Sequence, residues 1–197
     1  MKHVEVISKF VDHLSGYVEF TSADLAVIEE CVPSKTYEKG VHLLRAGEVS
    51  NAFFFNAKGF VRLYYLQEGQ ERTAYFYRTG TFISAYTSFI KREPCAFFLQ
   101  ATETTHVAVI GFDSAEKLLN SSPKFETLAR LAMEEEMMSL QETIASLLTL
   151  KPEERYASLL EKNPEIFQKV PQIQIASFLG VQPESLSRIK KRLMHRS

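Results

Sequence analysis

The sequence predicts an α+β chain: an N-terminal antiparallel β-roll of jelly-roll type, one long helix, and a small all-α unit containing a helix-turn-helix. Three observations predict it. Between Lys35 and Phe112, short runs rich in Val, Phe, Tyr, Leu and Thr are punctuated by Gly40, Gly47, Gly59, Gly69, Gly80 and Gly111, the rhythm of strands joined by turns. Met133, Met137, Leu140, Ile144 and Leu147 then form a heptad seam. Finally, the run from Gln172 to Ile189 places small, glycine, aliphatic and basic residues where two crossing helices need them. These divide the chain at 1–122, 123–150 and 151–197.

Composition narrows the classes. The 197 residues are 45% apolar and 24% charged, too apolar and too near neutrality for a wholly disordered chain. No apolar run reaches the roughly 18 residues of a membrane-spanning helix. Met1 to Val6 already includes Glu5, so no secretory signal is expected. The two cysteines, Cys31 and Cys95, are too few for a disulfide framework, a four-cysteine iron–sulfur site or a zinc finger. A cytoplasmic protein without membrane partner, metal or cofactor is the expectation.

Charge is uneven. Residues 1–150 carry 14 Lys and Arg against 19 Asp and Glu, while residues 151–197 carry 9 against 5. The positive excess lies near the end, where Arg188, Lys190, Lys191, Arg192 and Arg196 face only Glu184. Such a split suggests that one end meets a polyanion.

In chain order, Val4, Ile7, Phe10, Val11 and Leu14 predict one apolar face of a first helix. Thr21 to Asp24 supplies caps for a second, with Leu25, Val27 and Ile28 apolar, which Pro33 ends. Phe53 to Tyr65 reads as two strands around a Lys58-Gly59 turn, and Glu68-Gly69-Gln70 turns into the next. Runs at 96–101 and 106–110 complete the set. Most of the 15 Phe and 8 Tyr lie in this unit, as packing for a large core. Tyr75, Phe82, Tyr86, Phe89 and Phe97 mark the region of a candidate pocket, open to an apolar or aromatic ligand or filled by its own side chains. After Pro123 the heptad seam predicts a helix of about 25 residues that pairs with a second copy of itself. Glu134, Glu135, Glu136, Gln141 and Glu142 cover its other faces. Lys151-Pro152-Glu153-Glu154 opens a new helix.

In the helix-turn-helix, Ala176 is small where the helices cross and Gly180 can end the first of them. Val181, Leu186 and Ile189 pack inward, leaving Glu184, Ser185, Arg188, Lys191 and Arg192 outward, with Gln182 just before the helix. Arg188 suits a bidentate contact to guanine and Glu184 a cytosine amino group. Lys191 and Arg192 suit phosphates. Enzyme motifs are missing: the five histidines are scattered, with no His-x-His pair, no phosphate loop and no nucleophile elbow.

The order of parts resembles the Crp/Fnr family of bacterial transcription regulators over essentially the whole chain. The residues that carry the resemblance are Leu44-Arg45-Ala46-Gly47-Glu48, Gly59-Phe60-Val61-Arg62, Thr79-Gly80-Thr81-Phe82-Ile83 and the run from Ile175 to Ile189. The resemblance implies a cyclic-nucleotide-binding-like sensor domain, a dimerisation helix and a helix-turn-helix that binds a palindromic site in double-stranded DNA as a homodimer. RNA polymerase is a possible further partner. It also places Glu184, Ser185 and Arg188 among the base-reading residues. Pro183 stands where the cyclic-AMP-responsive receptor of the family has an additional arginine, so a different site sequence is expected.

Two departures follow. Cyclic-AMP-binding members hold the ribose with a Gly-Glu pair and the phosphate with an Arg-Ser pair; here those positions are Ser84-Ala85 and Cys95-Ala96. Without the arginine a buried phosphate lacks its counter-charge, so the pocket is degenerate and cyclic AMP is not expected to bind. Any effector is unknown. Cys95 is read either as a redox-sensitive thiol or as a small core residue. In addition, Ser197 follows the second helix closely, so most of the β-hairpin wing of many members is expected to be missing, with Lys190 to Arg196 standing in for some of its phosphate contacts. The competing reading is a dimeric ligand-sensing or protein-interaction module that has lost sequence-specific DNA binding.

Overall fold

A computed structural model describes residues 1–194. Eight strands form two four-stranded antiparallel sheets: β1 (Ser34–Tyr37), β8 (Thr105–Gly111), β3 (Ala52–Lys58) and β6 (Phe82–Ile83) in one, and β2 (His42–Leu44), β7 (Phe98–Ala101), β4 (Val61–Gln67) and β5 (Gln70–Tyr77) in the other, each in that order. Leu44, Phe54, Val61, Ile83, Leu99 and Val107 from both sheets close a shared core. The β-roll predicted from glycine spacing is therefore present.

The two strands around Lys58-Gly59 do not pair with each other. β3 pairs with β8 and β6, whereas β4 pairs with β5 and β7, so the turn carries the chain between sheets. Gly59 is required there: its φ is +117°, and a Cβ would sit 2.9 Å from the Thr105 Cα. By contrast, Glu68 and Gly69, at φ +52° and +77°, form the tight two-residue hairpin loop that joins β4 to β5.

Helices α1 (His3–Leu14) and α2 (Ser22–Cys31) cover the first sheet. α1 buries Val6, Ile7, Phe10 and Leu14. The predicted stripe holds at Ile7, Phe10 and Leu14, with Val11 packed beside them, but Val4 points outward, 71% exposed, and Val6 is buried in its place. Thr21 and Asp24 make the reciprocal cap predicted for α2. A short α3 (Tyr86–Lys91) and an α4 (Phe112–Ser121) were not legible as helices; α4 buries only Leu118, too little apolar periodicity to read.

The long helix, α5, spans Pro123–Thr149. Its first turns are anchored by buried Phe125 and Leu128, whereas Met133, Met137, Leu140, Ile144 and Leu147 are all exposed. Beyond it come α6 (Pro152–Lys162), α7 (Ile166–Lys169), α8 (Gln172–Phe178) and α9 (Pro183–Met194). Tyr156, Ile166, Val170, Ile175, Ala176, Leu179, Leu186 and Ile189 form their core, which also takes in Phe60 from the β-roll.

Candidate nucleic-acid interface and sensor cleft

α8 and α9 are joined by a turn whose conformation is fixed from three sides. Gly180 adopts φ +66°, the left-handed conformation that ends a helix cheaply only with glycine. The Val181 amide donates to the Ala176 carbonyl at 3.0 Å, and Ala176 itself is fully buried at the crossing. Arg155 of α6 completes the turn by donating to the Leu179 carbonyl at 2.6 Å and the Leu150 carbonyl at 2.7 Å. Sequence reasoning missed Arg155, because nothing local distinguishes it from the solvated charges around it.

α9 buries Leu186 and Ile189 and presents Glu184, Arg188 and Lys191 to solvent, with Gln182 exposed just before it. Glu184, Arg188 and Lys191 follow at four and three residues, on one face. Ser185 is half-buried and accepts from Arg188 Nη2 at 3.1 Å. Arg192 is exposed but pairs with Glu153 of α6 at 2.7 Å, so a phosphate would have to compete with that carboxylate. Of the predicted basic tail, Arg196 lies outside the described residues.

α8 also touches the β-roll. Ser177 Oγ accepts from the Thr73 amide at 2.9 Å and donates to the Glu71 carbonyl at 3.1 Å, both on β5. Phe178 meets Phe76 of β5 edge to face at 5.3 Å.

Between β5, β6, α5 and the C-terminal helices lies a cleft of about 480 Å³ lined by Tyr75, Tyr77, Phe82, Glu136, Ser139 and Leu159 among others. Glu136 reaches into it from α5, accepting from Ser84 Oγ at 2.9 Å and Tyr77 Oη at 3.2 Å. Burial holds its carboxyl above the ordinary 4.5, against the opposing pull of those two hydroxyls. The Tyr77 phenol is pushed well above its usual value by burial and by Glu136. The other expected pocket aromatics lie elsewhere: Phe89 and Tyr86 pack on Phe53, and Phe97 on Tyr65. Among the described residues, no three His, Cys, Asp or Glu side chains converge as metal ligands. None of the described helices is long and apolar enough to cross a membrane.

Residues 34–122 match the family model of the cyclic nucleotide-binding domain. Among solved structures, FixK2 from Bradyrhizobium japonicum aligns at a TM-score of 0.71 with 17% identity, covering 84% of this chain and 85% of its own. The c-di-GMP-responsive global regulator CLP from Xanthomonas campestris gives 0.69 and 16%, covering 89% and 93%. A Crp/Fnr-family transcriptional regulator from Thermus thermophilus gives 0.64 and 16%, covering 83% and 87%. The chain has the Crp/Fnr fold. No curated protein matches the sequence.

Against that Crp/Fnr fold, the residues that would hold a cyclic nucleotide do not fit one. Ala85 is buried with its methyl in the core, and Cys95 is buried with its thiol donating to the carbonyls of Arg45 and Phe97 at 3.1 and 3.2 Å. Burial raises that thiol above its usual value, the direction expected of a packing cysteine. Ala96 is exposed and brings no charge. Ser84 spends its hydroxyl on Glu136, so an acid stands beside Ser84, the wrong sign for a phosphate.

Proposed function

We propose that the chain is a DNA-binding transcription regulator that acts as a homodimer on a two-fold symmetric site, with Gln182, Glu184, Ser185, Arg188, Lys191 and Arg192 as its DNA-facing residues. One observation carries this reading: α9 is buried on one side in the helix-turn-helix core and exposes Glu184, Arg188 and Lys191 together on the other. A helix so presented fits the major groove with its first residues against base edges. The Crp/Fnr fold and the exposed seam of α5 support the dimer. Its sensor does not take cyclic AMP, and the protein is not an enzyme. In this reading the chain divides at 1–122, 123–150 and 151–197 into sensor, dimerisation helix and reader, and it works in the cytoplasm.

Selection of binding sequences from randomised duplexes, at moderate salt and with the full chain, tests this directly. The expected result is an enriched palindrome whose half-sites are one helical turn apart, about 34 Å. Affinity should fall steeply with added salt, as released counterions require. An unenriched pool, with weak binding of equal strength to every sequence, would favour a dimeric sensing or protein-interaction module instead.

A further inference from the structure

Glu136 is a carboxyl group placed in a partly buried cleft with no cation paired to it. Its described partners are two hydroxyls, Ser84 Oγ and Tyr77 Oη, which orient it but neutralise nothing. Among the described residues, no Lys or Arg forms an ion pair with it. Of the basic groups lining the same cleft, Lys162 pairs with Glu142 at 2.8 Å, Arg155 is spent on the Leu150 and Leu179 carbonyls, and neither Arg78 nor His13 forms an ion pair with Glu136. The cleft walls include aromatic rings, with Tyr75 and Tyr77 edge to face at 4.8 Å and Phe82 also in the lining. A buried ion without a partner is costly to keep. A carboxylate beside aromatic rings is the arrangement that holds organic cations, through an ion pair at one end and ring faces around the charge.

We propose that this cleft binds a small organic cation, a primary amine carrying an apolar or aromatic body, with Glu136 as its counter-ion. The ammonium replaces the missing cation, donating to Glu136, and the body lies against Tyr75 and Phe82. The same arrangement repels cyclic nucleotides by charge. Ligation would tie α5 to β5 and β6 through one bound molecule, at the junction that also contacts the C-terminal helices. Calling the amine an effector rests on the regulator reading; its binding does not.

The test is calorimetric titration of the full chain, without DNA, at about pH 8, well above the ordinary carboxyl range. Tyramine, phenethylamine and putrescine serve as cationic probes, and 4-propylphenol as the uncharged match of tyramine. At least one amine is expected to bind with a Kd below about 1 mM, and 4-propylphenol at least about tenfold more weakly. Glu136→Gln should weaken the amine about tenfold or more and leave 4-propylphenol unchanged. Tyr75→Leu, which keeps the carboxylate, should weaken the amine as well. The proposal is overturned if none of the three amines binds below about 10 mM, if 4-propylphenol binds as well as tyramine, or if Glu136→Gln keeps full amine affinity. Amine binding with no DNA selection would overturn the regulator reading alone.

Discussion

Two carboxyl groups in this protein are pushed in opposite directions, and the consequences separate cleanly with pH. Asp24 accepts from Lys124 Nζ at 2.8 Å and from the Thr21 amide and hydroxyl, each at 2.8 Å. The Lys124 contact, followed by the Thr21 backbone, holds its carboxyl at about 2 instead of the ordinary 3.8. A depressed carboxyl stabilises the fold above its unfolded value, and that contribution disappears as pH falls through the folded one. Asp24→Asn should therefore flatten the acid limb of thermal stability between about pH 4 and 2. An unchanged limb would show that the Lys124 contact does not form in solution. Glu136 has the reverse sign. Burial raises it from 4.5, so the folded state holds its proton more tightly and stability falls as pH rises from 4.5 towards the raised value. Melting curves of Glu136→Gln over that window should lack the slope and lie at or above the parent at neutral pH. At Arg188, truncation to Ala should cost about 1–3 kcal/mol of DNA affinity and relax preference at one base position. Competition binding against single-base site variants measures both effects. The sequence singled out Arg188 because its own segment frames it. Glu136 sits in a run of three glutamates, and only the helical phase against β5 and β6 tells it from its neighbours.

Among the elements, α5 has the most unsatisfied surface. Phe125 and Leu128 are buried at its start, yet the five seam residues Met133, Met137, Leu140, Ile144 and Leu147 range from 39% to 56% exposed. A partner helix from a second copy would remove that surface from water at roughly 25 cal/mol per Å², and parallel pairing sets each seam residue beside its own twin. Leu140→Glu would then place two like charges face to face in an apolar seam. Sedimentation should show a dimer for the parent and monomer for the variant, with the variant's helical signal retained in its packed first turns. A parent that sediments as a monomer at micromolar concentration would sink the seam assignment. The seam was legible because a period of seven survives in sequence whatever covers it. The strand pairing was not: β3 and β4 are contiguous and joined by a tight turn, and nothing local says that Gly59 passes the chain to the other sheet. That decision belongs to Thr105, forty-six positions later in the chain, against which only glycine fits.

At the scale of the whole molecule, the C-terminal helices are not a separate bead on a linker. Phe60, only 4% exposed, shares one apolar core with Tyr156, Ile175 and Leu186. Phe76 packs on Phe178, Ser177 clasps both the Thr73 amide and the Glu71 carbonyl, and Lys169 reaches Glu103 at 3.9 Å. This continuity bears on how a sensor could address a reader. In the proposed regulator, a signal at the cleft would reach α9 only through contacts that hold one arrangement in preference to another, and α8 is held directly by β5. The same contacts predict one cooperative unfolding transition for the full chain rather than two. Phe178→Ala combined with Ser177→Ala removes the edge-to-face ring pair and both clasp bonds, leaving the helix-turn-helix core residues in place. Scanning calorimetry should then split the single peak, with the helical unit melting first. A parent that already melts in two steps would mean that the two units unfold independently. In the intact protein, duplex DNA carrying the selected palindrome should raise the single transition as one peak, because ligand bound at α9 stabilises everything that unfolds with it. In the double variant it should raise only the lower peak.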